Sequence, residues 1–313
     1  MQIINLSYPD HYQLDIEPTS VAVGYFDGVH KGHQEVINKA IKESEKQNIK
    51  SAVMTFNPHP LEVIKKEPLK DFLITSLNEK EKILENLNID YLFVVTFNKE
   101  LAQLLPENFV QKFFIDLNVR HVVGGFDFSF GHKGAGKIQN MDQYSKGKLS
   151  YSVVDKVTYE GDKVSSTRIR DLLNEGNMSL VSKLLGRPFT LKARVVHGEK
   201  RGREIGYPTA NLGIDPSHKL PKIGVYAVKV SYHDQTYYGM ANIGFNPTFV
   251  DDLSQPLVEV HIFDFNQSIY DEHIEVEFHQ YIRSEEKFSG VDELIYYMKQ
   301  DERDTKNFFQ ILN

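Results

Sequence analysis

The chain contains no cysteine, which rules out disulfides and thiolate chemistry and fits a reducing compartment. An H-E-x-x-H pattern is missing too, so the usual zinc donors, about three or four per site, are not there. Excess positive charge is also lacking. A net charge of −7 argues against a broad nucleic-acid footprint, which needs a basic surface. No run approaches the roughly 18 apolar residues that span a bilayer. The opening Met-Gln-Ile-Ile-Asn-Leu-Ser-Tyr-Pro-Asp lacks the basic start and apolar core of a signal peptide. Internal repeats and low-complexity segments are absent. These exclusions predict a cytoplasmic protein that engages neither membrane nor nucleic acid.

What is present reads as two domains. The 313 residues are enough for two at about 150 each, and 41% hydrophobic with 25% charged residues is ordinary for a globular chain. In the first part, strand-like runs near Val21–Gly24, Ser51–Phe56, Tyr91–Thr96 and Val119–Gly124 alternate with helical runs near His33–Gln47, Glu79–Leu87 and Pro106–Asp116. Such alternation predicts an α/β domain with a mostly parallel, Rossmann-like sheet. Ligands of these sheets bind beyond the carboxyl ends of the strands. The stretches Gly24–His33, Asn57–Pro60 and Gly125–Gly131 all fall there. A helix near Thr167–Glu175 is stopped by Gly176-Asn177, and a second short one ends at Gly186. From Arg187-Pro188 onward strands follow without long helices: Leu191–His197, Val225–Tyr232, Tyr237–Ile243, Leu257–Phe265 and Ile274–Tyr281. Their alternation predicts an antiparallel sheet or small barrel, closed by a helix near Val291–Met298. The boundary is placed at Leu185–Pro188, giving domains 1–185 and 186–313.

The most informative stretch is Val21-Ala-Val-Gly-Tyr-Phe-Asp-Gly-Val-His-Lys-Gly-His33, an apolar strand running through glycines into a helix. A helix N-terminus offers unpaired N–H groups and a positive dipole end, and so receives phosphate. His30 and His33 share a face of the first turn, and Gly32 lets a phosphate approach the backbone. Two imidazoles there suit stabilisation of phosphoryl charge during group transfer. The plainer alternative is a pair of incidental surface histidines; a metal pair lacks further ligands.

Other stretches carry two readings each. Asn57-Pro-His-Pro60 is a stiff turn in which proline blocks a helix, and which holds Asn57 and His59. Gly124-Gly-Phe-Asp-Phe-Ser-Phe-Gly131 is either a core strand or a place to grip a planar ring, with Asp127 suited to a ribose or a base amine. Ser165-Ser-Thr-Arg-Ile-Arg170 opens a helix, as an ordinary cap or as a second anion site. Val196-His-Gly-Glu-Lys-Arg-Gly-Arg-Glu-Ile-Gly206 is a basic glycine loop without the G-K-[ST] of a Walker A sequence, either a solvated hairpin or a phosphate nest. Pro208-Thr-Ala-Asn211 follows it. In Leu257-Val-Glu-Val-His-Ile262, alternation puts Glu259 and His261 on the face opposite Val258, Val260 and Ile262.

H-x-G-H after a strand resembles the signature of nucleotidyltransferases that act at the α-phosphate of ATP. The longer Gly-Tyr-Phe-Asp-Gly-Val-His-Lys-Gly-His string resembles the prokaryotic bifunctional riboflavin kinase/FAD synthetase family, as do Pro-His-Pro, Ser-Ser-Thr-Arg, Pro-Thr-Ala-Asn, Val-Glu-x-His-Ile and Asn242-Ile-Gly-Phe-Asn-Pro-Thr-Phe249. The resemblance implies an N-terminal FMN adenylyltransferase and a C-terminal riboflavin kinase, using riboflavin, FMN and ATP, yielding FAD, with Mg2+. It implies catalysis of adenylyl transfer by His30, His33 and Arg170. ATP would lie on Gly24, Phe26, Gly32, Lys163, Ser166 and Thr167, with flavin at Asn57, His59 and Asp127. In the kinase it implies ATP on Gly198, Lys200, Gly202 and Gly206, the metal on Thr209 and Asn211, flavin at Asn242 and Asn246, and Glu259 as general base. Two positions depart from the family's usual residues: Asp127 stands where asparagine is common, and Lys163 where arginine is. The lysine keeps the charge and loses bidentate geometry. Two alternatives stay open at the sequence level, an adenylyltransferase for another phosphate or acid, and a flavin or nucleotide sensor without turnover.

Overall fold

A computed structural model describes residues 1–10, 15–198, 202, 205–245 and 256–311. The chain divides into two compact units, one made of 1–69 and 73–166, the other of 70–72 and 167–313.

The first unit is built on six parallel strands: β1 Gln2–Leu6, β2 Thr19–Val23, β3 Lys50–Asn57, β4 Tyr91–Thr96, β5 Val119–Gly125 and, after the two-residue strands β6 Ser129–Phe130 and β7 Gly136–Lys137, β8 Ser150–Val154. Their order is β1-β4-β3-β2-β5-β8. Every residue of β2 is buried, as expected of a strand covered on both faces. Successive residues divide between two cores. Val21, Val23, Ala52 and Met54 pack with Phe109 and Phe113 on one side, and Ala22 and Val53 pack with Val36, Ile37 and Ala40 of helix Lys31–Gln47 on the other. Chain progression runs from β2 through β3 to β4 on one side, then jumps to β5 on the other. The crevice between β2 and β5 is therefore the switch point of the sheet.

Three details differ from the sequence reading. β1 and β8 were not expected. β1 is a half-exposed edge strand beside β4, and β8, with a polar, half-exposed start, pairs with β5, so neither carries a clear apolar run. Pro60 does not block a helix but begins one, Pro60–Lys65, because proline at the first helical position costs no hydrogen bond. The helix from Pro106 passes at Val110 into a π-helical turn, Gln111–Ile115.

The second unit is a closed antiparallel barrel. After the hairpin strands β9 Thr158–Tyr159 and β10 Asp162–Lys163 of the first unit, its strands are β11 Phe189–Val196, β12 Ala210–Gly213, β13 Gly224–Tyr232, β14 Gln235–Gly244, β15 Leu257–Ile262 and β16 His273–Arg283, in the order β11-β12-β15-β14-β13-β16. Alternation fixes what faces inward: Phe189, Leu191, Ala193 and Val195 of β11 are buried, their neighbours are not. Helix Met178–Leu185 packs on β11 and β16 and ends at Gly186 in the left-handed conformation that glycine takes freely. The C-terminal helix Val291–Phe309 runs well past the expected Met298 and packs on β13, β14 and β16. The short β12 was missed. Asp71 accepts from the Lys219 ammonium and from Leu220 N at 2.8 Å, which ties 70–72 into this unit.

Candidate active sites

Gly24 ends β2, its N–H donating to Met54 O, and a Cβ there would stand 2.9 Å from the Phe26 ring. The turn then bends sharply. Phe26 and Val29 hold left-handed backbone (φ 57° and 40°) that non-glycine residues adopt at a cost, and Gly28 (φ 83°) shares the bend. Asp27, buried, accepts from Ile74 N (2.9 Å) and Thr75 N (3.2 Å), and Gly28 N donates to Thr75 Oγ1 (3.0 Å). His30 caps helix Lys31–Gln47: its Nδ1 accepts from His33 N at 3.2 Å. That bond fixes the tautomer, leaving Nε2 as the ring's donor. The His30 and His33 rings stack with centroids 3.5 Å apart, and Phe26 meets His33 edge-on at 5.3 Å. Burial, then the His30 ring, Lys80 and Lys163, push the His33 pKa well below its usual value, so this imidazole is neutral at physiological pH. Its Nδ1 is buried without a hydrogen-bond partner.

A Cβ on Gly32 would sit 3.1 Å from the His30 ring and 3.5 Å from Val164 O. Ser166 Oγ donates to Asp27 O at 2.9 Å. The turn after β2 and the end of the 158–166 segment thus meet around the histidines. Lys163 pairs with Asp127 at 2.6 Å while its ammonium lies 4.7 Å over the Phe126 ring. Of the three phenylalanines in that stretch, Phe130 is core, packed on Phe109, and only Phe126 is an exposed ring. Asn57 ends β3, and its O accepts from Phe97 N. His59 caps Pro60–Lys65 through Nδ1, accepting from Leu61 N at 3.0 Å, and its ring meets Tyr25 edge-on at 4.1 Å. Thr167 and Arg170 belong to the second unit, where Arg170 Nε donates to Phe72 O (2.7 Å) and its guanidinium covers the Phe72 ring at 3.8 Å.

In the barrel, register places three polar side chains in a row. Asn211 of β12 and Asn242 of β14 both pair with Glu259 of β15, one from each side. Thr209 Oγ1 donates to Glu259 Oε2 at 3.4 Å, and His261 Nδ1 lies 2.8 Å from Pro208 O. Glu259, Thr209, Asn242 and His261 line a cavity of about 360 Å3 whose apolar wall includes Met240 and Met298. A Cβ on Gly202 would lie 2.2 Å from the Tyr207 backbone oxygen, so that position needs glycine, whereas one on Gly198 would push the Asn211 amide aside. Gly206 has φ 85° and open space around it. Lys200 and Asn246 lie outside the described residues.

A family model described as FAD synthetase matches residues 13–168, and one described as riboflavin kinase matches 185–309. A bifunctional riboflavin kinase/FMN adenylyltransferase of Bacillus subtilis is 42% identical over 100% of this chain and 99% of its own length. The chain belongs to the bifunctional riboflavin kinase/FMN adenylyltransferase family. The Listeria monocytogenes member is 43% identical over 92% of each chain. A solved Streptococcus pneumoniae chain, titled a macrolide-efflux protein, is 37% identical with a TM-score of 0.87, covering 97% of this chain and 99% of its own. No helix among the described residues here is long and apolar enough to cross a membrane.

Sequence reasoning passed over several cavity residues of this family member. Arg283 reaches Asp301 of the C-terminal helix with two bonds of 2.8 Å (Nε to Oδ1, Nη2 to Oδ2), and both line the cavity. Tyr207 OH donates to Glu302 at 3.1 Å; burial and that carboxylate push its pKa up to about 12. A single arginine at a strand end and a carboxylate in an amphipathic helix give no local signal of their partnership.

Proposed function

We infer that the barrel unit phosphorylates riboflavin with ATP to give FMN and ADP, and that the parallel-sheet unit joins FMN to the AMP moiety of ATP to give FAD and pyrophosphate. The observation that carries the kinase reading is the row Asn211–Glu259–Asn242 beside Thr209, opening into a cavity with an apolar wall. The Glu259 carboxylate takes the proton of the ribityl hydroxyl as its oxygen attacks the γ-phosphorus and ADP leaves. A strand inside a closed barrel holds such a base rigidly.

For adenylyl transfer, a phosphate oxygen of FMN attacks the α-phosphorus in line and the bond to the β-phosphate breaks. Electrostatics does the work, with the His30 Nε2 proton and the N–H groups of the helix start stabilising charge on the phosphoryl oxygens. Gly24, Phe26, Gly32, Lys163 and Ser166 bind the nucleotide, and Asn57, His59 and Asp127 the flavin. Asn242 and Asn246 hold riboflavin in the kinase, and Gly198, Lys200, Gly202 and Gly206 its ATP.

The Thr209 hydroxyl and the Asn211 amide oxygen are hard donors suited to Mg2+, which takes few protein oxygens and keeps phosphates and water. Among the described residues no cluster of three His, Asp or Glu competes for a metal. When bound, Mg2+ neutralises phosphate charge. Use of ATP in both steps supports a cytoplasmic location.

Chromatography of the full chain with riboflavin, ATP and Mg2+ should show FMN first and FAD after it; FMN without FAD, or neither, would overturn the corresponding half. We place the functional boundary at 185/186. A fragment from Gly186 should make FMN and no FAD. One from Thr167 should do the same with higher stability, because it keeps the buried Val181, Leu184 and Leu185 that cover β11 and β16.

A further inference from the structure

Lys80, on helix Leu77–Asn86, is among the largest fully buried side chains of the molecule, with 2% of its surface exposed. Its ammonium donates to Tyr25 O at 2.6 Å and to Thr55 Oγ1 at 3.1 Å, and Thr55 Oγ1 donates to the same Tyr25 oxygen at 2.8 Å. The Tyr25 ring lies 4.2 Å away over the ammonium, and that ring is the one His59 meets edge-on. Taking an ammonium out of water is costly, and a methionine of similar length would fill the space without that cost. The charge is therefore explained by what it does.

We propose that Lys80 is a positioning residue for adenylyl transfer, a buried cation behind the Gly24–His33 turn that pins the Tyr25 carbonyl and adds positive potential where phosphates gather. The inference rests on the assignment of that turn to adenylyl transfer. The peptide plane carries the first part: with the Tyr25 C=O held toward Lys80, the Phe26 N–H on the same trans plane points the opposite way. The next residues are the left-handed Phe26, Gly28 and Val29, a backbone that needs anchoring on both flanks. Lys80 anchors the flank before it, Asp27 holds the middle through its bonds to Ile74 and Thr75, and the bond from His33 N to His30 Nδ1 fixes the flank after it. Charge carries the second part. The titratable and charged groups facing Lys80 are Asp27 and Tyr25 on the turn and His33 on the helix after it. Burial lowers the Lys80 pKa to about 8 against the opposing pull of Asp27, and the Lys80 charge in turn lowers that of His33. Lys80 is thus a cation at neutral pH that loses its charge as pH rises through about 8, and while charged it adds to the burial and the His30 ring that depress the His33 pKa.

The test is Lys80→Met in the full chain, with His30→Ala in parallel. Lys80→Met should unfold at the wild-type temperature or above and make FMN at the wild-type rate, while kcat for FAD formation from FMN falls at least tenfold at pH 7.5. In the wild type, kcat for FAD formation should decline with an apparent pKa near 8, and Lys80→Met should lack that limb. The His33 imidazole, followed by NMR, should titrate at higher pH in Lys80→Met. Should Lys80→Met fail to fold, the wild-type pH profile still decides, together with Thr55→Val, which removes a hydroxyl and keeps the cation. Thr55→Val should retain the alkaline limb, and a wild-type kcat that is flat through pH 9 overturns the proposal. If His30→Ala loses FAD formation and Lys80→Met does not, Lys80 is a structural cation only. If His30→Ala itself keeps full activity, the assignment of the turn fails instead.

Discussion

Replacing Glu259 by glutamine isolates proton transfer from everything else the barrel does. The side chain is half-buried on β15, and its hydrogen bond from Thr209 is long at 3.4 Å. Glutamine offers the same volume and a carbonyl to accept that bond, so the fold should lose under about 0.5 kcal/mol, as for surface changes away from special features. It cannot accept a proton at neutral pH. Loss of general-base assistance costs about a hundred- to ten-thousandfold in rate, equivalent to roughly 2.7–5.5 kcal/mol at 1.36 kcal/mol per decade. Because the flanking Asn211 and Asn242 are untouched, ATP and riboflavin affinities should stay within about threefold, and the loss should appear in kcat. The assay is FMN formation by chromatography with ATP affinity measured separately by calorimetry, plus FAD formation from supplied FMN, which should be unaffected. A variant retaining kcat within tenfold of wild type would refute the base assignment and leave Glu259 as a strand residue beside Thr209.

Four further outcomes follow from the same geometry. His30→Ala should lower FAD formation by about tenfold or more while FMN formation stays near wild type; equal loss of both in a folded variant would mean a structural role. Thr209→Ala should weaken metal-nucleotide binding to the kinase, read as a raised KM for MgATP, where Glu259→Gln leaves it alone. Asp301→Ala strands the largely buried Arg283, whose side chain is 19% exposed against 4% for Asp301, and should cost about 3–5 kcal/mol in urea denaturation; a loss under 1 kcal/mol would show the pair to be dispensable. His33 has its folded pKa depressed, so the unfolded chain binds the extra proton as pH falls below about 6.5 and the folded state loses stability there. Unfolding temperature from pH 7 to 5 should therefore drop more steeply in wild type than in His33→Gln, and parallel curves would contradict this.

The parts of the fold that were legible in the sequence are those in which one local pattern sufficed. β4 matches its expected span because four of its six residues are buried in one apolar run, and β15 obeys strict alternation, with Val258, Val260 and Ile262 buried and Glu259 and His261 facing the cavity. β1 and β12 were missed because they take their strand character from neighbours, β4 in one case and β11 with β15 in the other. The strand, turn and helix course of the histidine stretch was readable from its apolar run and its glycines. Its left-handed Phe26 and Val29 were not, since nothing local to those side chains favours such a backbone and the restraint comes from Ile74, Thr75 and Lys80 far along the chain. His59 shows the reverse. It was singled out as a ligand, and the structure adds a plain local role, closing the N-terminus of Pro60–Lys65.

The bond from His33 N to the His30 imidazole separates what keeps this helix in place from the role proposed for His30. Aspartate at position 30 would close the same helix start at least as well, and would offer no proton to a phosphate. A lineage that lost adenylyl transfer through such a change would keep the helix start, its sheet and its barrel. Quality control inside the cell, which inspects folding, has no means of noticing the loss. In a host supplied with FAD from outside, the lesion would spread by drift, leaving a folded two-unit protein with a single working site.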